Sequence, residues 1–230
     1  MQSIRWTEFP TVAELRDVTV ETIAKSAQAA INERGRFDIV LAGGGTPKAA
    51  YAELVSLKTD WSKWHVWFGD ERCLPPEHPD RNSHMAHEVW LSQITIPTAQ
   101  IHAIPAELGA QAAAAEYCRQ LDAVAEFDLV LLGLGEDGHT ASLFPGHIWE
   151  AEPSQSAIPV HNAPKPPSDR VSLSLSRLKQ ALHVLFIVTG AGKRDAVQAW
   201  KQGDASLPVT GFAGMNGVEV YLDAEANPAA

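Results

Sequence analysis

Short apolar runs alternate with amphipathic segments along most of this chain. Four runs are apolar at nearly every position, a pattern typical of strands that are buried on both faces of a sheet. They span residues 37–42, 64–68, 127–132 and 183–188. Shorter runs predict three further strands, of which the one over residues 170–175 is expected at the edge of a sheet. These span residues 101–104, 170–175 and 218–222.

Helical signals fill the intervals between these runs. Thr11 and Glu14 have the spacing of a capping box, and apolar residues then recur at helical spacing until Gly35 ends the helix. Thr46 is predicted as the N-cap of a second helix, with Pro47 as its first residue. Residues 139–142 can start a further helix. The remaining predicted helices span residues 47–57, 82–91, 109–124, 176–181 and 189–201.

This alternation predicts an α/β fold in which a mostly parallel open sheet carries helices on both faces. The stretch 148–167 contains five prolines and is predicted to be irregular. An apolar fraction of 45% over 230 residues is enough for a sizeable core. No linker-like segment divides the chain, so residues 1–230 are expected to form one domain.

The charge balance restricts the partners. The formal net charge of −10 argues against general binding to nucleic acid or to an anionic membrane, although a local group of Arg and Lys can still bind an anionic small molecule. Cys73 and Cys118 lack the spacing of a zinc or disulfide framework, so free thiols in a reducing compartment are expected. With no apolar signal core and no membrane-length apolar segment in the sequence, we expect a soluble cytoplasmic protein.

Four loops follow predicted parallel strands, and such loops converge at one edge of a sheet. They span residues 43–47, 69–72, 133–139 and 189–193. The first contains Gly43, Gly44, Gly45 and Thr46. Because it opens a helix, its N–H groups and the Thr46 hydroxyl could hold a phosphate group. The alternative is a tight turn with nothing bound.

Two cations in these loops are candidate ligands for an anion. Arg72 could instead pair with Asp70 or Glu71, and Lys193 could be solvated in the first turn of its helix. A cation at a helix N-terminus opposes the helix dipole, so an anionic ligand explains Lys193 better than local stability does.

His139 is the candidate reaction centre. It follows a buried strand and a glycine-rich loop, and Asp137 lies two residues before it, where a carboxylate can orient an imidazole. The alternative is a histidine that only caps or packs. Ser142 lacks the G-x-S-x-G context of a nucleophile, so direct attack by water is favoured over an acyl-enzyme.

Three other motifs are set aside. Residues 133–138 fit G-x-G-x-x-G, but Glu136 and Asp137 would repel a dinucleotide pyrophosphate, and residues 190–193 match a nucleotide P-loop only in part. A helical metal-binding face could be built from His84, His87 and Glu88. No zinc motif matches this spacing, so neither a metal nor an organic cofactor is expected.

Several blocks taken together resemble the 6-phosphogluconolactonase family, the lactone hydrolases of the oxidative pentose phosphate pathway. The block around His139, GLGEDGHTASLFPG, is the most specific. The matching blocks are residues 41–47, 69–72, 133–146, 170–173 and 190–193.

This resemblance implies a fold shared with glucosamine-6-phosphate deaminase, and His139 as the base that activates water, with Asp137 beside it. It also implies a sugar-phosphate lactone as substrate, no cofactor, and a monomer or weak homodimer. Arg72 and Lys193 would bind the substrate phosphate with the first glycine loop, and Arg170 is a further family position near the site. The implied substrate-binding and phosphate-binding residues are Gly43, Gly44, Gly45, Thr46, Arg72, Gly138, Arg170 and Lys193.

Two other functions remain as alternatives. Deaminase relatives carry a catalytic Glu before the proline of the corresponding loop, where this chain has Phe144, and the change argues against sugar-phosphate isomerisation or deamination. A non-catalytic sugar-phosphate sensor is the other alternative. It is disfavoured because the sequence contains no helix-turn-helix segment and no basic DNA-binding face.

Overall fold

The computed structural model describes residues 4–149, 155–212 and 217–228. Within these ranges, ten strands lie in two sheets. The strands are β1 (Arg5–Phe9), β2 (Phe37–Leu41), β3 (Trp64–Phe68), β4 (Asp70–Arg72), β5 (Ile101–His102), β6 (Phe127–Leu132), β7 (Ala157–Val160), β8 (Arg170–Leu173), β9 (Ala181–Val188) and β10 (Val218–Asp223). The α-helices are α1 (Val12–Arg34), α2 (Gly45–Leu54), α3 (Asn82–Val89), α4 (Ala110–Leu121), α5 (Leu175–Lys179) and α6 (Arg194–Lys201).

The larger sheet has the order β1-β10-β9-β6-β2-β3-β5, and all its pairings are parallel. This confirms the predicted α/β fold with a mostly parallel sheet. The carboxyl ends of the central strands are aligned, because Leu41 pairs with Phe68 and Leu132 pairs with Phe186. Among the described residues, no helix is both long and apolar enough to cross a lipid bilayer.

The smaller sheet has the antiparallel order β4-β8-β7 and corrects three predictions. Residues 69–72 were expected to be a loop, but 70–72 form β4. The stretch 148–167 was expected to be irregular, but it contains β7. Residues 170–173 form β8, which is the middle strand of this sheet and not an edge strand. Short strands with charged or proline residues gave no periodic signal, because their burial depends on partners distant in sequence.

The strand β1 was not predicted. Its residues have a mixed pattern of exposure, and it lies at the edge of the larger sheet, where it pairs with β10. An edge strand with one paired side does not need the continuous apolar run of a central strand. The seven strands that were predicted occur within two residues of their expected bounds.

Helix α1 confirms the predicted capping. The Thr11 side chain accepts a hydrogen bond from the backbone N–H of Glu14 at 3.2 Å, and Gly35 ends the helix at φ 72°. A left-handed residue at this position favours glycine, which has no Cβ.

Three helix starts differ from the prediction. Helix α6 begins at Arg194, after a 3-10 turn over Ala191–Lys193, and not at residue 189. Helix α2 begins at Gly45 after the N-cap Gly44, whose φ is 109°, so Thr46 is not the N-cap. The Thr46 hydroxyl is instead 2.7 Å from the Thr189 hydroxyl on the loop after β9. Residues 139–142 do not start a helix either, because Thr140 and Leu143 exchange two backbone hydrogen bonds of 3.2 and 2.9 Å.

A buried carboxylate joins the two sheets to α3. Glu71 on β4 is fully buried, and it accepts hydrogen bonds from the backbone N–H groups of Asn82 at 2.7 Å and Ser83 at 2.8 Å. It therefore caps the N-terminus of α3 from a distant strand, where the helix dipole favours negative charge. The Arg81 guanidinium, also buried, lies 3.4 Å from the same carboxylate.

This arrangement predicts the cost of losing the carboxylate. Glu71→Ala should lower the free energy of unfolding by about 2–5 kcal/mol, because the backbone N–H groups of Asn82 and Ser83 lose their acceptor, whereas the Arg81 charge keeps Glu107 as its carboxylate partner. Urea denaturation measures the effect. The exposed Glu126→Ala is the matched control and should change stability by less than about 0.5 kcal/mol. Equal stability of the two variants would contradict this role of Glu71.

Candidate active site

A cavity of about 420 Å³ opens at the carboxyl ends of the central parallel strands. His139, Arg72 and Lys193 all line it, although they are far apart in sequence and Arg72 lies on β4, not in a loop. Gly43 and Gly44, which follow β2, line the same cavity. The structure therefore brings the predicted histidine, two predicted cations and part of the predicted glycine loop to one place.

The His139 ring is held by the carboxylate beside it. Its Nδ1 lies 2.5 Å from Asp137 Oδ1, and its backbone N–H donates to the same oxygen at 3.3 Å. Burial raises the pKa of Asp137, but the hydrogen bond and charge of His139 outweigh burial, so the pKa of this carboxyl is below its usual value. An ionised Asp137 makes Nδ1 the protonated nitrogen and leaves Nε2 as the free acceptor.

The loop between β6 and the histidine is closed by its own backbone. Gly135 N–H donates to the His139 carbonyl at 2.7 Å, and Gly138 N–H donates to the Gly135 carbonyl at 3.0 Å. A Cβ atom at Gly135 would lie 2.0 Å from His139 Nδ1. Glycine is therefore required here, because the imidazole occupies the space that any side chain would take.

Phe144 forms the floor beneath the histidine. The Phe144 ring is fully buried, and its centroid is 4.7 Å from that of the His139 imidazole. The Arg170 guanidinium lies over the same ring at 5.5 Å. An apolar ring thus separates the histidine from a buried cation and offers no proton acceptor of its own.

Positive charge is concentrated around the cavity. Arg72 and Arg170 are directly opposite each other across β4 and β8, a placement in which like charges destabilise a sheet. Burial lowers the pKa of Arg170, and the Arg72 charge lowers it further, although Asp70 opposes both effects. The Arg72 Nε is buried and has no hydrogen-bond partner. An anion in the cavity would offset the repulsion between the Arg72 and Arg170 charges.

Lys193 is also a partly buried cation with another cation nearby. Burial lowers the pKa of its ammonium group, Glu136 and Asp137 raise it, and Lys165 lowers it. Lys165 also lines the cavity. Lys165 could not be selected from the sequence, since it lies in a proline-rich stretch without a motif spacing.

Asn82 is another cavity residue that the sequence did not reveal. Its side chain donates to the Asp70 carbonyl at 2.9 Å and to the Asp70 carboxylate at 3.0 Å. Ser142 donates to the other oxygen of that carboxylate at 2.6 Å. A Cβ atom at Gly43 would lie 2.1 Å from Asn82 Oδ1, so the first glycine of the loop is required by this close approach. The contact fixes the glycine loop against α3.

Some predicted binding residues lie outside the cavity wall. Gly45, Thr46 and Gly138 do not line it. Gly138 has φ 84° and faces Leu207, and its N–H is used within the loop. Their binding roles stay predictions. Within the described residues, no three His, Cys, Asp or Glu side chains are grouped in a way that could hold a metal ion, and this includes His84, His87 and Glu88.

Comparison with known proteins gives the family. The family model described as glucosamine-6-phosphate isomerases/6-phosphogluconolactonase matches residues 10–221. This chain belongs to that family. A curated 6-phosphogluconolactonase of Mycobacterium leprae is 36% identical over 220 residues, which cover 89% of each chain.

Solved structures agree with this assignment. A crystal structure of 6-phosphogluconolactonase from Thermotoga maritima has a TM-score of 0.82 and 28% identity, covering 96% of this chain and 98% of that one. A monomeric glucosamine-6-phosphate deaminase, 19% identical with a TM-score of 0.82 and coverage of 97% and 98%, shares the fold. The expected likeness to the deaminase fold is therefore confirmed.

The curated chloroplast relatives are longer proteins. A probable 6-phosphogluconolactonase 4 from Oryza sativa subsp. indica is 39% identical over 201 residues, which cover 80% of this chain. This chain spans only 61% of that relative's length.

The site geometry predicts the effect of adding one methyl group. Gly135→Ala should displace the His139 ring from Asp137, because the new Cβ cannot share space with Nδ1. Nitrogen-15 NMR of the imidazole should show loss of the Nδ1 hydrogen bond. Gly133→Ala is the matched control, since a Cβ there meets nothing within 4 Å. An unchanged His139 spectrum in Gly135→Ala would contradict the prediction.

Proposed function

We propose that this protein hydrolyses 6-phospho-D-glucono-1,5-lactone to 6-phosphogluconate, as a step of the oxidative pentose phosphate pathway. The observation that carries the proposal is the His139–Asp137 pair opening onto a cavity lined by Arg72, Lys193 and two further cations. The names of the relatives agree with this reaction. We further propose that residues 1–230 act as one domain, since buried residues of both sheets join one hydrophobic cluster.

The phosphate group would bind between the cations and the first glycine loop. Arg72 and Lys193 supply charge, and Arg170 lies beside them. The N-cap Gly44 lines the cavity and provides no side chain to satisfy the first N–H groups of α2, although Gly45 and Thr46 do not themselves line the cavity. A dianionic phosphoryl group suits such a helix N-terminus. Binding it there would place the rest of the substrate toward His139.

The chemistry needs one base and no cofactor. With Asp137 on Nδ1, the free Nε2 of His139 takes a proton from water as that water attacks the lactone carbonyl at C1. A bond forms between C1 and the water oxygen, and the carbonyl electrons move onto its oxygen. Backbone N–H groups near the site would stabilise this oxyanion. As the intermediate collapses, the bond from C1 to the ring oxygen breaks, and the imidazolium protonates the departing oxygen.

Phe144 favours this reaction over isomerisation or deamination. Ring opening of an amino-sugar phosphate and the subsequent isomerisation need an additional proton carrier. The buried Phe144 ring occupies that side of His139 and cannot carry a proton. Attack of water on a lactone needs only the base that is present.

The proposal is tested by following acid release from freshly prepared phosphorylated lactone. The wild-type protein should exceed the spontaneous rate, and His139→Asn should lower kcat by about 10²–10⁴-fold, the range for loss of a general base. His87→Asn, at an exposed position on α3, is the control and should keep wild-type turnover. Wild-type turnover in His139→Asn would remove this residue from the mechanism, and ammonia release from glucosamine 6-phosphate would favour the deaminase alternative.

A second prediction concerns the phosphate contact. Lys193→Met should raise KM for the phosphorylated lactone by about tenfold or more, because a charge-assisted contact is lost, while kcat changes little. The exposed Lys179→Met controls for loss of one positive charge. Steady-state kinetics on both variants give the comparison. Equal KM values would exclude a phosphate contact by Lys193.

A further inference from the structure

The loop between β7 and β8 reaches the cavity. These strands are antiparallel neighbours, with Val160 opposite Arg170 at the base of the loop. We call residues 161–169 the proline strap. Ala163 N–H donates to the Ser168 carbonyl at 2.9 Å and closes the strap, and Lys165 is one of the strap residues that line the cavity. The strap therefore contributes a lysine to a cavity that already contains Arg72 and Arg170 of the smaller sheet.

One buried side chain holds the strap in place. The Arg170 Nε donates to the Pro167 carbonyl at 3.1 Å, and its Nη2 donates to the carbonyls of Lys165 at 2.9 Å and Pro166 at 3.2 Å. Arg170 is only 5% exposed and rests on Phe144. The two prolines have no N–H, so carbonyl oxygens are the backbone groups they can offer. Three consecutive carbonyls bound by one rigid guanidinium fix the backbone from which the Lys165 side chain extends.

Lys165 is an exposed residue of the cavity lining, and within the described residues it forms no salt bridge with a carboxylate. Among the described residues, the lysines that form salt bridges are Lys25 and Lys48, and neither lines the cavity. Burial lowers the pKa of the Lys193 ammonium group, and the nearby Lys165 charge lowers it further, while Glu136 and Asp137 oppose both effects. Neither lysine forms a salt bridge within the described residues, so a dianion in the cavity would attract both ammonium groups and offset their repulsion.

We propose that Lys165 is a substrate-binding residue that shares the dianionic phosphoryl group of the substrate with Lys193, and that Arg170 is a positioning residue that acts through the proline strap. This inference rests on the proposed function, since it takes the substrate to be a phosphorylated lactone. It assigns the strap a part in selecting phosphorylated over neutral lactones. A lactone without the phosphoryl group leaves both lysines unpaired and gains nothing from Lys165.

The test uses the variants Lys165→Met and Lys165→Arg, with Lys58→Met as the control. Lys58 is exposed and precedes β3, at the amino end of the strand, whereas the cavity lies at the carboxyl ends. With the phosphorylated lactone, Lys165→Met should raise KM by about tenfold and leave kcat within about threefold. Lys165→Arg should restore KM, because the cation returns. With unphosphorylated glucono-1,5-lactone, all three variants should match the wild type. Lys58→Met should match it with both substrates.

Several results would overturn the inference. These are an unchanged KM in Lys165→Met, an equal change for both lactones, or no recovery in Lys165→Arg. If the wild type hydrolyses neither lactone, the proposed function fails, and calorimetric titration with 6-phosphogluconate then judges Lys165 alone. Tenfold weaker binding by Lys165→Met supports the lysine contact in that case. Equal binding, or no binding by the wild type, overturns it.

The positioning role has its own test. Arg170→Lys keeps the charge but cannot bind three carbonyls in the same geometry. If Arg170 acts through Lys165, adding Arg170→Lys should raise KM for the phosphorylated lactone less in the Lys165→Met protein than in the wild type. Equal effects in the two backgrounds would overturn the positioning role. The single Lys165 variants test the lysine contact whatever the stability of Arg170→Lys.

Discussion

Parallel pairing of β2, β3, β6 and β9 is the constraint on which the site depends. The pairing aligns the carboxyl ends of these strands, so the loops that follow them must meet at one edge of the sheet. Each strand is buried, and a register shift of one residue would turn its side chains to the opposite face. The positions of His139, Arg72 and Lys193 relative to one another are therefore set by the core of the sheet. The loops need only small adjustments, which the glycines permit.

The smaller sheet adds what a parallel sheet alone does not provide. Its strand β4 follows β3 directly and buries the Asp70 and Glu71 carboxylates, the first against Asn82 and Ser142 and the second against the N-terminus of α3. Buried carboxylates are stable only when their oxygens accept hydrogen bonds, and here those bonds also tie β4 to α3 and to Ser142, which lies three residues after the histidine. The same strand directs Arg72 into the cavity. A stretch that looks like a polar loop in the sequence thus connects the electrostatics of the site to the fold.

Features that depend on neighbouring residues could be predicted from the sequence, whereas features that depend on tertiary contacts could not. The central strands were predictable because burial on both faces requires an apolar run, and His139 was predictable because Asp137 and the glycines lie beside it in the chain. Strand β4 was missed because its charged residues are satisfied by groups ten or more residues away. Lys165 was missed for a different reason, since its place at the cavity depends on Arg170 binding three backbone carbonyls of the strap, and such contacts do not depend on the side chains of the residues that accept them. No local pattern carries such information.

Phe144 shows how a single side chain can limit the chemistry of a shared fold. The His139–Asp137 pair and the cationic cavity are compatible with several reactions of sugar phosphates, because each needs a base near an anchored anion. Reactions that move protons between carbon and oxygen need a second group to receive or supply a proton on the far side of the base. Phe144 contacts both the His139 ring and the Arg170 guanidinium, so a carboxylate cannot enter that space without displacing a buried ring. The proposed function needs only one base that acts on water, and a lactone is an ester for which one such base is sufficient.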